Sequence, residues 1–274
     1  MKNCLIVLCT FAFLSPLSSV YAAEALPVGS IFSYSFSTNG TLHETGSMDE
    51  SSSPYFWLNS GGKFVLQDGT GSTVAGSLPL TDLWHRLYAA ANPLDTDDGA
   101  HPQNLFRLLT RSTWRNVEQK LSFRIDAVHT TDTPNRDGYS GILLFSRYTD
   151  NNNLYYAGIR HDGSAVIKKK YNGTYYTLAS AQVFGNASEY DRDTNPNLIP
   201  EDRWMRIKVR TVNQSDGSVT VDLYLDREND GSYAKILSAT DTGTQGKALR
   251  SSGSIGIRTD YMDVRFDNFV ATKL

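Results

Sequence analysis

An all-β sandwich of two antiparallel sheets, of the jelly-roll kind, is the fold this sequence predicts, and three observations lead to it. Tyr and Phe are plentiful, at 15 and 12, beside 21 glycines, and that mixture favours strands and turns over helices. Short runs of alternating apolar residues recur along the chain, separated by turn residues rather than by helices. No repeat, linker or composition break divides residues 23–274, so a single domain of about a dozen strands fits the length.

The first 22 residues read as a secretory leader rather than as part of that domain. Lys2 supplies a positive start, Cys4–Leu14 an apolar run, and Val20-Tyr21-Ala22 a small-x-small cleavage site, so the mature chain is expected to begin near Ala23. The run is too short for a membrane span and no second one follows, so a secreted or periplasmic protein without a membrane partner is expected. Both cysteines, Cys4 and Cys9, fall in the leader, which excludes disulfide scaffolds and cysteine chemistry from the mature chain. A net charge of −3 and a pI of about 5.9 exclude a polybasic nucleic-acid binder. A monomer is expected.

The elements follow in order. Ile31–Phe36, Tyr55–Leu58 and Lys63–Gln67 are short strands. Leu80–Ala91 has helical spacing sufficient for one or two turns, and Pro93–Pro102 is a polar loop. Val117–Val128 alternates clearly: Leu121, Phe123 and Ile125 share one face, with Lys120, Ser122 and Arg124 on the other. Gly141–Tyr148, Leu154–Arg160 and Ala165–Tyr171 follow with tight turns between them, and Asn172-Gly173 is a hairpin signal leading into Tyr175–Ser180. A long polar loop spans 184–202. Trp204–Val212, Val219–Leu225, Ser254–Arg258 and Val264–Ala271 complete the strands.

Glycoside hydrolysis needs two carboxylates flanking the scissile bond. Of the seven glutamates, only Glu118 lies within a predicted strand, and it has no carboxylate two residues on, which argues against a hydrolase. Cations and phenols are what the strands offer instead. If Tyr155, Ala157 and Ile159 pack inward, Tyr156 and Arg160 point outward, and on the neighbouring strand Lys168 and Lys170 join them. Such a face on an acidic protein suits an anionic polymer. It also suits β-elimination on a uronate: a cation holds the carboxylate, a base takes the C5 proton, and an acid reaches the oxygen on C4. No two histidines stand at metal-ligand spacing, and no cofactor is required. Asp226–Gly231 resembles the start of a calcium loop but reads better as a hairpin turn; a structural calcium ion near Asp226–Asp230 or Asp267 is the one ion the sequence leaves room for.

The stretches NLFRLLTRSTW (104–114), SGILLFSRYTDNNNLYYAGIRHDGSAVIKKKYNGTYYTLA (140–179) and GSIGIRTDYMDVRFDNF (253–269) resemble secreted jelly-roll proteins of the concanavalin-like superfamily. Within it they are most similar to bacterial polysaccharide lyases acting on uronate-bearing algal polymers, ulvan lyases first, with glucuronan and alginate lyases next. The middle stretch is shared with laminin-G-like binding domains, so a non-catalytic carbohydrate-binding domain is the alternative. The lyase resemblance implies a Lys on one strand, a Ser/Arg pair on a second and paired Tyr on a third. Lys120, Ser146 with Arg147, and Tyr155 with Tyr156 occur in that order here, although adjacent Ser146 and Arg147 cannot both face one groove. The expected catalytic pair is Tyr156 supported by Lys120, with Tyr261 or His85 competing for the base role. Arg111, Arg124, Arg147, Arg160, Lys168 and Lys170 are the expected substrate-binding residues.

Overall fold

In the computed structural model, residues 28–274 are described. The expected leader and the expected start at Ala23 lie outside them. Sixteen strands and one helix follow in chain order: β1 (Ile31–Tyr34), β2 (Gly40–His43), β3 (Phe56–Ser60), β4 (Lys63–Gln67), β5 (Thr70–Ser72), α1 (Leu83–Ala91), β6 (Phe106–Trp114), β7 (Val117–Val128), β8 (Gly141–Asp150) and β9 (Asn153–Arg160). Then come β10 (Ser164–Tyr171), β11 (Thr174–Gln182), β12 (Met205–Asn213), β13 (Val219–Asp226), β14 (Ala234–Asp241), β15 (Gly253–Thr259) and β16 (Met262–Lys273). They form two antiparallel sheets, the jelly-roll sandwich the sequence predicts. One sheet has nine strands, ordered β14-β13-β12-β7-β16-β5-β4-β2, with β1 also paired to β16. The other has seven, ordered β11-β10-β9-β8-β15-β6-β3.

The period-two pattern sets which face of each strand is buried. Leu121, Phe123 and Ile125 of β7 meet Ile142 and Leu144 of β8, Ala157 and Ile159 of β9 and Ile167 of β10 in one continuous core. Each such side chain contributes about 1.5–3 kcal/mol on full burial. One end of the core is aromatic: Phe106 stacks on Phe266 at 5.9 Å, and Phe56 meets Phe269 edge-on at 5.7 Å.

Helix α1 takes up all but the first three residues of the predicted segment. Asp82 caps it by accepting from the Trp84 N–H at 2.8 Å, and Asn92, followed by Pro93, ends it. The Asp226–Gly231 segment is a tight turn: the Asp226 carboxylate accepts from the main-chain N–H groups of Asp230 (3.2 Å) and Gly231 (2.7 Å). β2, β5 and β14 carry no alternation strong enough to read from sequence. β2 and β14 lie at the two ends of the nine-stranded sheet, and β5 is only three residues long.

A buried network ties the sheets together at one end. Lys169 of β10 points inward, fully buried, and its Nζ meets the Asp241 carboxylate of β14 at 2.8 and 2.9 Å and the Gly246 carbonyl at 2.9 Å. The Tyr155 hydroxyl donates to the same carboxylate and accepts from the Leu249 N–H.

Candidate functional site

The outer face of the seven-stranded sheet is where the predicted residues converge. Pairing registers put Lys168 beside Tyr156, Tyr156 beside Phe145, Phe145 beside Gly256, and Gly256 beside Leu109, which pairs with Trp57. The adjacent row runs Val166, Gly158, Leu143, Arg258 and Arg107. Two depressions of about 170 and 250 Å³ lie on this surface, and Tyr156, Tyr175 and Arg258 line both. Gly158 forms part of the strand floor; a Cβ there would come within 2.0 Å of the Ile142 carbonyl oxygen.

Cations and rings are interleaved above that floor. Tyr139 and Tyr175 are 62% and 48% exposed, unusually open for aromatic residues. The Arg160 guanidinium lies 4.1 Å from the Tyr139 ring centre, and Lys170 Nζ lies 4.5 Å from that of Tyr175. Lys168 reaches toward both rings, at 5.5 and 6.0 Å. Arg160 pairs with Asp162, and Arg258 with Asp260 at 2.8 Å. Arg107 bonds Asn59 and Asn151 rather than a carboxylate. Among the described residues, neither Lys168 nor Lys170 has a carboxylate partner; of the three consecutive lysines only the buried Lys169 is ion-paired. Burial, with Arg160 beside it, lowers the Lys168 ammonium below the usual lysine range.

Tyr156 stands between the two depressions. Its ring meets Tyr175 edge-on at 6.1 Å, and its hydroxyl has no hydrogen-bond partner among the described residues. Burial, and Tyr175 next to it, push the phenol above the ordinary tyrosine range. It therefore holds its proton at neutral pH.

The other predicted site residues lie elsewhere. Lys120 is on β7, in the nine-stranded sheet, on the face turned away from Leu121 and the core. Tyr156 faces outward from the opposite sheet, so the whole sandwich separates the two, and Lys120 pairs with Glu118 at 3.1 Å instead. The expectation that both reach one sugar ring is corrected. Arg124 shares Lys120's face and is held by Asp126 (2.9 Å) and Asp202 (2.8 Å). Arg147 sits in a bulge with a φ of 53°, 1% exposed, bonding the carbonyls of Arg115 and Leu249 and the side chain of Asn213. Its partner Ser146 points inward to Gln119 and Thr211. Neither can touch a polymer.

Tyr261 is 2% exposed, with its phenol directed at Asp95, and is a packing residue at the β15–β16 turn. His85 is buried on α1, where Nδ1 bonds the Leu78 carbonyl at 2.8 Å, which makes it a support for the loop before the helix. Arg111 is on the correct sheet face by alternation, but its guanidinium rests on the Ser53 carbonyl toward the β3 edge. The sequence reading missed Arg107, Arg258, Tyr139 and Tyr175. Arg258 was findable, because Ile255 and Ile257 alternate inward beside it; Tyr139 lies in a loop with no period to read.

The outer face of the nine-stranded sheet also bears cations, but carboxylates neutralise them: Glu118 takes Lys120, Asp126 takes Arg124 and Arg265, and Asp222 takes Lys235 at 3.1 Å. The unpaired lysines single out the seven-stranded face. No helix among the described residues is long and apolar enough to cross a membrane.

No family model and no curated protein matches the chain. Among solved structures it is similar to a carbohydrate-binding module from Bacillus subtilis, at 15% identity over 62% of this chain and 82% of that one, with a TM-score of 0.43. It is also similar to the winged bean acidic lectin (10% identity, 89% and 98% covered, TM-score 0.49). A lichenase from a mouse hindgut metagenome gives 10% identity, 89% and 98% covered, and a TM-score of 0.45. Likenesses this distant say nothing about what this chain binds.

Proposed function

We propose that the outer face of the seven-stranded sheet binds an anionic, uronate-bearing polysaccharide. The observation that supports this is the pair of unpaired lysines, Lys168 and Lys170, set against the exposed rings of Tyr139 and Tyr175. Rings offer flat apolar surface to sugar faces, and free ammonium groups meet carboxylates or sulfates without first breaking an ion pair. Ulvan is the first candidate polymer, with glucuronan and alginate next.

The free, protonated Tyr156 hydroxyl supports a second step on the same face, β-elimination. The C5–H bond of the uronate breaks and its proton passes to the Asp137 carboxylate, which lines the same depression as Tyr156. The electrons left behind form the C4–C5 double bond as the C4–O bond breaks, and Tyr156 donates its proton to the departing oxygen. Lys168, the register neighbour of Tyr156 and without a carboxylate partner among the described residues, is the cation that holds the substrate carboxylate. The raised phenol suits the acid role better than the base role.

Titration calorimetry against ulvan, glucuronan, alginate and a neutral glucan tests the binding. Lys168→Ala and Lys170→Ala should each weaken binding of the acidic polymer several-fold, and added salt should weaken it further. Equal affinity for the neutral glucan, or no salt dependence, would sink the reading. Ultraviolet absorbance of the unsaturated product tests the elimination, and Tyr156→Phe should lower it by about 10²–10⁴-fold while binding persists. Binding without any unsaturated product on these polymers would make the chain a binding domain.

A further inference from the structure

Away from that groove, three side chains from two loops form a connected line. Ser77 Oγ lies 2.8 Å from His101 Nε2, and His101 Nδ1 lies 2.6 Å from the Asp97 carboxylate. With Nδ1–H donating to Asp97, Nε2 presents its lone pair to the serine hydroxyl, the arrangement by which a neutral imidazole draws a proton from an alcohol.

The backbone holds these groups in place. His101 N–H and Gly99 N–H both donate to the Thr96 carbonyl, at 2.9 and 3.0 Å, which fixes Asp97 and His101 four residues apart on one tight loop. Gly99 has a φ of 92°, and a Cβ there would come within 2.0 Å of the His85 carbonyl oxygen, so only glycine closes this loop. The serine loop is fastened on both sides: Gly76 N–H donates to Asp263 at 2.7 Å, and Leu78 N–H to the Ala100 carbonyl at 2.8 Å. Gly76, with a φ of 62°, turns the chain so that Ser77 is exposed. The Ser77 N–H has no acceptor among the described residues and is free to meet a developing oxyanion. The His101 ring is backed by His129, centre to centre 4.4 Å, itself held to Asp263 at 2.9 Å.

We propose that Ser77, His101 and Asp97 are a nucleophilic triad that hydrolyses short-chain acyl esters. A depression of about 370 Å³ lies against Asp97 and His101, the histidine that carries Ser77 at its Nε2, and is further lined by His129, Thr130, Thr131 and Asp132 with Val128 as its one aliphatic side chain. That lining accommodates an acetyl-sized group on a polar alcohol and offers no apolar tunnel for a long chain. In the first step Ser77 Oγ bonds to the ester carbon and its proton passes to His101 Nε2. The C–O bond to the alcohol then breaks, and the departing oxygen takes that proton. Water next attacks the acyl-serine with His101 again as base, releasing the acid and restoring Ser77.

Two measurements on the purified full chain test the triad. A fluorophosphonate probe followed by peptide mass spectrometry should place the label on Ser77 and fail to label Asp97→Asn or His101→Gln. Hydrolysis of p-nitrophenyl acetate should exceed that of the octanoate ester and fall at least 10²-fold in Ser77→Ala. Ser77 is exposed, so its variant should melt as the parent does, which keeps the test decisive if a His101 variant misfolds. Label elsewhere or nowhere, or Ser77→Ala within twofold of the parent rate, overturns the proposal. Activity lost in His101→Gln but kept in Ser77→Ala would also overturn it, because it would make the histidine act without the serine.

Discussion

Arg147 shows how a cation can serve as internal scaffold. Its guanidinium is held by two carbonyls and an asparagine where the β7, β8 and β12 ends meet. Burial, with Tyr155 opposing it and Arg115 and Arg250 adding to it, brings its pKa down to about 10. Arg147→Ala leaves those acceptors unsatisfied and a void behind, and should cost about 2–4 kcal/mol in a denaturant titration. Polymer affinity measured on the folded fraction should not change. The resemblance to lyases pointed toward a ligand here because it implies a Ser/Arg pair on this strand; the β8–β9 pairing slips by a bulge just after Ser146, and the Arg147 guanidinium turns inward. Where no bulge intervenes, alternation placed Tyr156, Arg160, Lys168 and Lys170 on one face, as observed. Ser77, His101 and Asp97 lie in loops, which have no period to read, so nothing in the sequence joined them.

Strand β10 sends its lysines to both sides: Lys168 and Lys170 to the outer face, Lys169 into the core against Asp241. Removing one partner of a buried ion pair strands the other charge, at about 3–5 kcal/mol. Lys169→Met should lower stability by that order, and adding Asp241→Leu should recover part of it. A double variant no more stable than the single would show that the Tyr155 and Gly243 contacts to Asp241 matter more than the charge pair. Strand limits were legible where apolar alternation is strong; Val117–Val128 and Lys63–Gln67 coincide with β7 and β4. Ala234–Asp241 is half exposed and mixes small, polar and apolar residues without alternation, so β14 gave no such pattern.

At the scale of the whole molecule, alternation tells inside from outside but not which sheet a strand joins. Lys120 and Tyr156 were both correctly outward, and only the strand order reveals that their outsides are opposite. Stability against pH is also a property of the whole. Burial works to raise the Asp263 carboxyl, but His129, Gly76 N–H and Gln103 outweigh it and hold the group below its usual range. A lowered carboxyl contributes stability that is present above the unfolded pKa, near 3.9, and lost as pH falls through the folded value. At the alkaline end, burial raises the phenols of Tyr88, Tyr155, Tyr156 and Tyr261. Their stabilisation is complete below the unfolded tyrosine pKa, near 10, and declines as pH rises beyond it; lowered Arg147 and Lys168 oppose this, two groups against four. Thermal melts should therefore give a plateau that falls below about pH 4 and above about pH 10. A melting temperature still rising above pH 10 would contradict the phenol account.

The position of β16 has a bearing on biosynthesis. It lies between β7 and β5 and also pairs with β1, whose Ile31 is set opposite Thr272. Without residues 262–273 the larger sheet falls into two unconnected pieces, and β1 has no neighbour. As the chain leaves the ribosome, that sheet cannot close until its last strand has emerged, and the nascent polypeptide remains unlocked until then.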